Sequence, residues 1–330
     1  MKKAVFLLMS LIIAQMLIAE DPEGNLGPAN QRFDGPRRKV QLNEKNGVIA
    51  SNELLVQATT LPEMKLGYIR HYVFPFLQGE TPLTKDNNIG LALSAEVSPV
   101  SLNGIAEMVW TPIAFFQFAA GGRIGSGWNI AFGDKAIYGI GINKPDKTGK
   151  AENSSTPFDG LLWKVQTGAA LQADLAAIFP GEWNHVVIRS YHEINYKGYT
   201  RAAAGESWYF EADDGENINA FNYYGNFLVG YKMPILLNFV ALLTEMDLYL
   251  YNTPNRCNWG DEKIRWTFSS ILSFTFTEQL GLNVLTQFRT RRNYLESNWE
   301  DLYYRNRTID NSDPLRLEFY RVAAALTYKF

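Results

Sequence analysis

The side chains best suited to nucleophilic chemistry in this 330-residue chain lie in the stretch "SYHEIN", where Ser190 precedes His192 by two residues. Residues two apart on a strand point to the same face, so a serine hydroxyl and an imidazole base come within reach of each other. A hydrolase also needs a third group that orients the imidazole, and the sequence identifies none. Ser190 and His192 are therefore candidates for catalysis, to be weighed against an incidental pair on an aromatic-rich strand.

Other stretches with reactive or ligating residue types are less specific. Asp213, Asp214 and Glu216 could activate a water molecule only beside a base such as histidine, and no histidine accompanies them. Their segment, 212–217, offers oxygen ligands to Ca²⁺ but lacks the spacing of a calcium-binding loop, so we expect an acidic surface turn. The glycines of "GGRIGSGWN" at 121–129 lead into no helix and do not predict a phosphate-binding loop. We expect neither a cofactor nor a metal ion.

The elements that must position these side chains are long amphipathic strands. From Ile264 to Phe276, six of the seven even positions are apolar and five of the six odd positions are polar, which is the period of a strand with two different faces. Similar alternation predicts ten strands in all. Their approximate ranges are 63–77, 88–98, 103–121, 160–178, 183–197, 219–232, 236–251, 263–277, 280–293 and 315–330.

Strand length and connections distinguish a membrane barrel from a soluble β-sandwich. The predicted strands run to about 12–16 residues, against about 5–6 in soluble proteins, and their ends are rich in aromatic residues. Short connections near Pro99, Pro180, Pro234 and Gln279 alternate with long ones. The long ones are 78–87, 122–158, 198–218, 252–262 and 294–314. This pattern predicts an all-β fold, a transmembrane antiparallel β-barrel with short periplasmic turns and long extracellular loops.

The number of strands is open between about ten and twelve. Either "SWYFEA" at 207–212 or "NGVIASNELLVQ", which ends at Gln57, could add strands. Arg70 interrupts the apolar face of the first predicted strand, which indicates a bulge or a wrong strand assignment. In the last strand the apolar face changes parity near Tyr320, which predicts a bulge there or an upper part clear of lipid.

The N-terminal residues have the pattern of a secretory signal peptide. Residues 1–19 combine a basic start with an apolar run, and polar residues follow. We expect export through the inner membrane, a polar segment over 20–62 and one barrel domain over 63–330. No later apolar run approaches the length of a spanning helix. The single cysteine, Cys257, permits no internal disulfide, and a net charge of −3 argues against nucleic-acid binding.

These features resemble the outer-membrane β-barrel proteins of diderm bacteria. The resemblance implies a location in the outer membrane, contact with its lipid, and insertion by the barrel-assembly machinery. It also implies that the alternating residues of the last strand, Leu326, Tyr328 and Phe330, form the signal which that machinery reads. It indicates no single family.

The predicted strand faces assign charged residues of both signs to the lumen. The lumen-facing charges are Glu96, Glu107, Lys164, Asp174, Arg189, Glu193, Glu245, Asp247, Arg265, Arg289 and Arg291. Either an interior network of ion pairs closes the lumen or the charges line a polar pore. We therefore expect a narrow, porin-like channel or a surface-exposed structural or binding protein, whose partners would be small solutes or ligands at the loops. The alternative is a phospholipase-like or protease-like hydrolase on the same barrel.

Overall fold

The computed structural model describes residues 47–60, 63–81, 83–132, 135–154, 156–211, 215–250, 259–295 and 302–330. The predicted signal peptide, most of the predicted polar segment and Cys257 lie outside these ranges, as do Asp213 and Asp214. Among the described residues, no helix is long and apolar enough to cross a membrane.

Eighteen strands make up almost all of the regular structure in the described ranges. They are β1 (Ile49–Thr59), β2 (Met64–Pro75), β3 (Asn88–Ser98), β4 (Ser101–Ile113), β5 (Phe116–Gly127), β6 (Ile130–Phe132), β7 (Lys135–Ile137), β8 (Ile140–Pro145), β9 (Ala151–Ser154), β10 (Leu162–Asp174), β11 (His185–Tyr199), β12 (Ser207–Phe210), β13 (Asn217–Ile218), β14 (Ala220–Lys232), β15 (Leu237–Tyr249), β16 (Arg265–Thr275), β17 (Leu280–Arg292) and β18 (Leu315–Lys329). Two short 3₁₀ turns, Leu175–Ala177 and Tyr304–Asn306, complete the elements.

Twelve of these strands close into one antiparallel barrel. Their order around the barrel is β1-β2-β3-β4-β5-β10-β11-β14-β15-β16-β17-β18, and β18 pairs with β1. The predicted fold class is confirmed, with the larger of the two strand numbers. Closure leaves no unpaired edge, as a barrel in lipid requires.

Two strands account for the difference between ten and twelve. The first is β1, which lies in the segment predicted to be polar, so the barrel begins at Ile49 instead of 63. The second arises because the single strand predicted over 103–121 is two strands, β4 and β5, joined at Ala114 and Phe115. The stretch around β12 is extended, but it pairs outside the barrel.

The additional turn changes which connections share an end of the barrel. We call the end that holds 76–87, 114–115, 175–184, 233–236 and 276–279 the turn end, and the opposite end the loop end. The connection 78–87, predicted to be an extracellular loop, therefore lies at the turn end, and the short connection near Pro99 lies at the loop end. Long connections rise at the loop end only after β5, β11, β15 and β17. The wall formed by β1 to β4 is low there, because its turns span only 60–63 and 99–100.

Side chains alternate between an apolar outer face and a buried inner face. On β15, Leu242 is 70% exposed, whereas its neighbours Ala241 and Leu243 are 3% and 1% exposed. Aromatic rings cluster near both ends of the outer face. Near the loop end, Trp163 stacks on Tyr196 and Tyr196 meets Phe221 edge to face, with ring centroids 5.0 Å apart in each pair. Tyr231 and Trp183 lie near the turn end. This apolar band between two aromatic girdles is the outer surface of a membrane-spanning barrel.

The two irregular strands have different explanations. The predicted bulge near Tyr320 is confirmed, because Gln287 pairs with Arg321 while Phe288 pairs with Phe319. At Arg70 the strand assignment is right and the predicted bulge is wrong, since β2 pairs in unbroken register with both neighbours. Arg70 lies on the outer face, where its guanidinium donates to Asn52 Oδ1 at 2.6 Å and lies over the ring of Tyr72.

The long connections fold together into a lid at the loop end. Strands β13, β12, β8 and β9 form a four-stranded sheet in that order, and β6 pairs with β7. Trp208 and Phe210 of β12 pack in a buried cluster with residues of β8, β10 and β11. A second cluster around Trp259 and Tyr303 joins the connections that follow β15 and β17.

Candidate functional site

A chamber of about 350 Å³ lies between the lid and the barrel interior. The upper ends of the barrel strands form its wall. Trp208 and Phe210 of β12 contribute to its lining from the lid, as do Glu211 and Glu216 of the following segment. The chamber is therefore built jointly by the barrel and by the loops that cover it.

Positive charge dominates the described part of the chamber lining, where ten lysine and arginine side chains face five acidic ones. The cations are Lys65, Arg123, Lys164, Lys197, Arg265, Arg289, Arg291, Arg292, Arg307 and Arg321. The acids are Glu63, Glu107, Glu211, Glu216 and Asp247. Low-dielectric walls of one prevailing sign concentrate ions of the opposite sign, so the arrangement favours anions.

The excess of cations is visible in how the acids are shared. Glu318 lies 3.1 Å from Arg289 Nε and 3.9 Å from both Arg291 and Arg316. Glu216 contacts Arg292 and lies 3.5 Å from Arg265 Nη1. One carboxylate thus lies near two or three guanidinium groups along β16, β17 and β18, and we call this group of arginines the arginine wall.

Aromatic rings hold several of these arginines in place. The guanidinium carbon of Arg265 lies 5.0 Å from the ring centroid of Tyr249, and that of Arg292 lies 4.8 Å from the ring of Trp259. Arg289 lies 4.2 Å from the ring of Tyr320. Cation–π stacking leaves the edge of a guanidinium group available for hydrogen bonds, so stacked arginines are suited to binding carboxylates or phosphates.

Acidic and tyrosine side chains form the floor of the chamber. Glu193 accepts hydrogen bonds from Lys164 Nζ at 2.7 Å, from Asn195 Nδ2 at 2.8 Å and from Tyr191 Oη at 2.9 Å. The neighbouring Tyr224 donates to Glu245 Oε1 at 2.9 Å. These buried polar groups satisfy one another, as buried charges must.

Below this floor the lumen is filled with side chains. Eleven of the twelve barrel strands line the chamber, and each of them has, nearer the turn end, an inward side chain that is at most 9% exposed. These side chains are Leu55, Ile69, Val109, Ala119, Ala170, Tyr191, Tyr224, Leu243, Ile271, Asn283 and Ala323. A water-sized solute has no room beside them, so the chamber is closed towards the turn end.

The structure distributes the charges assigned to the lumen over three levels. Glu107, Lys164, Asp247, Arg265, Arg289 and Arg291 line the chamber. Glu193 and Glu245 belong to its floor. Glu96 is buried at 2% exposure, Arg189 lies over the ring of Tyr191, and Asp174 bonds to His185 Nδ1 at 2.8 Å near the turn end.

Several charged residues of the chamber were not predicted from the sequence, for identifiable reasons. Glu211, Glu216 and Arg307 lie in connections, where no strand face assigns a direction. Arg123 follows the turn at Ala114 and Phe115 that the alternation did not reveal. The run "RTRRN" at 289–293 was the available signal, because three arginines at the end of one strand indicate a basic rim.

Ser190 and His192 do meet on the outer face of β11. Ser190 Oγ lies 2.9 Å from His192 Nε2, and His192 Nδ1 lies 2.6 Å from Tyr223 Oη on β14. On the outer face of β11, His192 lies four residues from Tyr196 of the loop-end girdle. This spacing corresponds to about 13 Å along the strand. Lipid ester bonds lie at the headgroup boundary, so this trio lies too deep in the apolar band to reach them.

Among the described residues, no group of three or more His, Cys, Asp or Glu side chains could hold a metal ion. No protein-family profile matches the chain, and no curated protein matches it.

Solved structures with a similar fold are barrels of bacterial outer membranes. The KdgM porin is 8% identical with a TM-score of 0.37, over 85% of this chain and 99% of that one. OmpT of Vibrio cholerae is 6% identical with a TM-score of 0.36, over 88% of this chain and 100% of that one. An anion-selective porin from Comamonas acidovorans is 6% identical with a TM-score of 0.28, over 86% and 100% of the two chains. At these identities the likeness concerns the barrel fold alone.

Proposed function

We propose that this chain is an integral outer-membrane barrel that binds an anionic ligand in the basic chamber at its loop end. The observation that carries the proposal is the ratio of ten cationic to five acidic side chains around one cavity. The class of ligand follows from the donors, since arginine guanidinium groups match the geometry of carboxylate and phosphate.

The filled lumen favours binding over conduction. A channel needs a continuous polar path, and the inward tyrosines and aliphatic side chains below the chamber interrupt one. Opening would require the packed interior of twelve hydrogen-bonded strands to rearrange. Of the two expected roles, the surface-exposed binding protein is therefore better supported than the narrow channel.

Titration of the refolded barrel with inorganic pyrophosphate tests the binding. We expect saturable binding that weakens about tenfold in Arg265→Gln, because one charge-assisted contact is worth about 1.5 kcal/mol or more. Lys232→Gln, which removes a positive charge from the turn end of β14, is the matched control and should bind like wild type. Equal weakening in both variants would indicate general electrostatic attraction and contradict a chamber site.

Recording in planar bilayers tests the closed lumen. Wild-type protein should add no steady conductance steps to the bilayer, at either polarity. A folded barrel changes its gel mobility on boiling, and a preparation in which all the protein does so is called fully heat-modifiable. Steady open steps from such a preparation would show a conducting channel and overturn this part of the proposal.

A further inference from the structure

One chamber acid, Glu211, crosses from the lid to the low wall of the barrel. It follows directly after β12, and its Oε2 lies 2.7 Å from Lys65 Nζ on β2. Its Oε1 accepts a hydrogen bond from the hydroxyl of Ser101 on β4. Arg123 of β5 adds a second positive charge beside the same carboxylate. All three partners belong to the barrel wall, and Lys65 and Ser101 lie on β2 and β4, so Glu211 connects the lid to the low wall.

Two of the three wall residues also have contacts with residues other than Glu211. Arg123 Nε donates to Asn103 Oδ1 at 3.1 Å, and its guanidinium group lies 5.0 Å from the ring of Phe210. The hydroxyl of Ser101 also lies 2.8 Å from that of Ser98. Lys65, Ser101 and Arg123 thus surround one carboxylate with two positive charges and a hydroxyl donor, and we call these three residues the wall subsite.

Glu211 has an unfavourable backbone conformation while its side chain occupies the wall subsite. Its φ angle is +54°, in the left-handed region that is unfavourable for a residue with a side chain. Its amide donates to the carbonyl of Gly139 at 2.6 Å, which fixes this conformation. A residue that keeps a strained conformation in order to place a carboxylate on two cations is suited to a reversible contact.

We propose that the wall subsite binds a carboxylate or phosphate group of the ligand, and that Glu211 occupies it as a tethered competitor until the ligand displaces it. The inference rests on the proposed anion-binding function and deepens it, since it names a second subsite opposite the arginine wall. Displacement exchanges one anion for another on Lys65 and Arg123, so no buried cation is left uncompensated. It also removes one contact between the lid and the low wall, whereas the hydrogen bond from the amide of Trp128 to the carbonyl of Val100 remains.

Titration of Glu211→Gln with inorganic pyrophosphate tests the competition. A tethered group acts at an effective concentration in the millimolar range, so its neutralisation should tighten pyrophosphate binding by about tenfold or more. Glu206→Gln is the matched control: Glu206 belongs to the same connection but pairs with Lys144 at 3.0 Å, outside the chamber. It should bind like wild type. The gain should disappear in the double variant Glu211→Gln, Lys65→Met.

The outcomes separate this inference from the function on which it rests. If Glu211→Gln binds no more tightly than wild type while Arg265→Gln still weakens binding, the competitor role is wrong and the basic chamber stands. If neither wild type nor Glu211→Gln binds pyrophosphate, the proposed function itself fails. Should Glu211→Gln give no heat-modifiable folded form, Glu211→Asp replaces it. Its shorter carboxylate cannot reach both partners, and binding no tighter than wild type would again overturn the inference.

Discussion

At the scale of single residues, the ionisation of a buried side chain depends on whether neighbouring charges outweigh the cost of burial. Glu211 is the clearest case. Burial opposes ionisation of Glu211, yet the charges of Lys65 and Arg123 and the hydrogen bond from Ser101 outweigh burial and hold the pKa of this carboxyl below its ordinary value. The contact is thus present at neutral pH and depends on the carboxylate form.

The lowered pKa of Glu211 predicts a stability difference that depends on pH. Because the pKa is lower in the folded than in the unfolded protein, the contact stabilises the fold fully above the unfolded value, near 4.3, and is lost as the pH falls through the folded value. Urea unfolding should show Glu211→Gln less stable than wild type by about 1–2 kcal/mol at pH 7. The two should converge below about pH 4. A difference that persisted unchanged into acid would contradict the assignment to the carboxylate.

The Ser190, His192 and Tyr223 trio is expected to be chemically silent towards phospholipid. The three side chains satisfy one another within the apolar band, away from the ester groups. Vesicles that contain wild-type protein should release no more fatty acid than vesicles that contain Ser190→Ala or His192→Ala. Release by wild type that both variants abolish would establish the hydrolase alternative.

At the scale of elements, the closing seam depends on the last strand. The backbone amide and carbonyl of Phe330 each bond to Asn52 at 3.0 Å, and Asn52 Nδ2 donates to the same carbonyl at 3.3 Å. The ring of Phe330 stacks on Tyr328 with centroids 6.0 Å apart. The seam of β18 with β1 therefore continues one residue beyond the ladder that ends at Lys329.

Deletion of Phe330 should weaken this seam more than loss of its ring. Two ladder bonds at about 1 kcal/mol each disappear in the deletion, whereas Phe330→Ala keeps them and loses only the stacked ring. We expect the heat-modifiable fraction after refolding to fall in the order wild type, Phe330→Ala, deletion. Equal refolding of the deletion and wild type would exclude a role of the terminal pairing in closure.

Element boundaries also show what periodicity can and cannot predict. The two-residue connection at Ala114 and Phe115 pairs Ile113 with Phe116, but a register shift before Ile113 makes Trp110 pair with Phe118, so Trp110 and Phe118 share a face and have the same parity. The alternation therefore runs unbroken through a reversal of the chain. In β1 the alternation is weak although a strand is present. The apolar residue Leu55 points inward with 3% exposure, so the inner and outer faces differ little in polarity. The faces of the other strands follow directly from their alternation.

At the scale of the whole molecule, the barrel is divided into a basic upper chamber and a filled lower lumen. Tyr191 and Tyr224 lie at the boundary, and both are fully buried. Sequence could place these two side chains on the inner face of neighbouring strands but could not tell how far they fill the lumen, because that depends on barrel diameter and on rotamers. The lid was equally hidden, since β8 and β12 are distant in sequence and pair only in three dimensions.

Removing both boundary tyrosines should turn the closed barrel into a leaky one. Tyr191→Ala combined with Tyr224→Ala deletes the largest side chains between chamber and lower lumen. It should lower stability by about 3–5 kcal/mol per ring and add conductance steps in planar bilayers. Tyr223→Ala, on the outer face of the same strand as Tyr224, is the control and should remain non-conducting. Silence of a folded double variant would show that the lower lumen closes without these rings.

The low wall of β1 to β4 has a mechanical consequence. The lid is continuous with the chain on the side of β5, β11, β15 and β17. It meets the opposite side through the ion pair of Glu211 with Lys65 and through the hydrogen bond of 2.9 Å that the amide of Trp128 donates to the carbonyl of Val100. The lid is therefore attached on both sides of the barrel mouth, and loss of the Glu211 contact alone would leave the bond to Val100 in place.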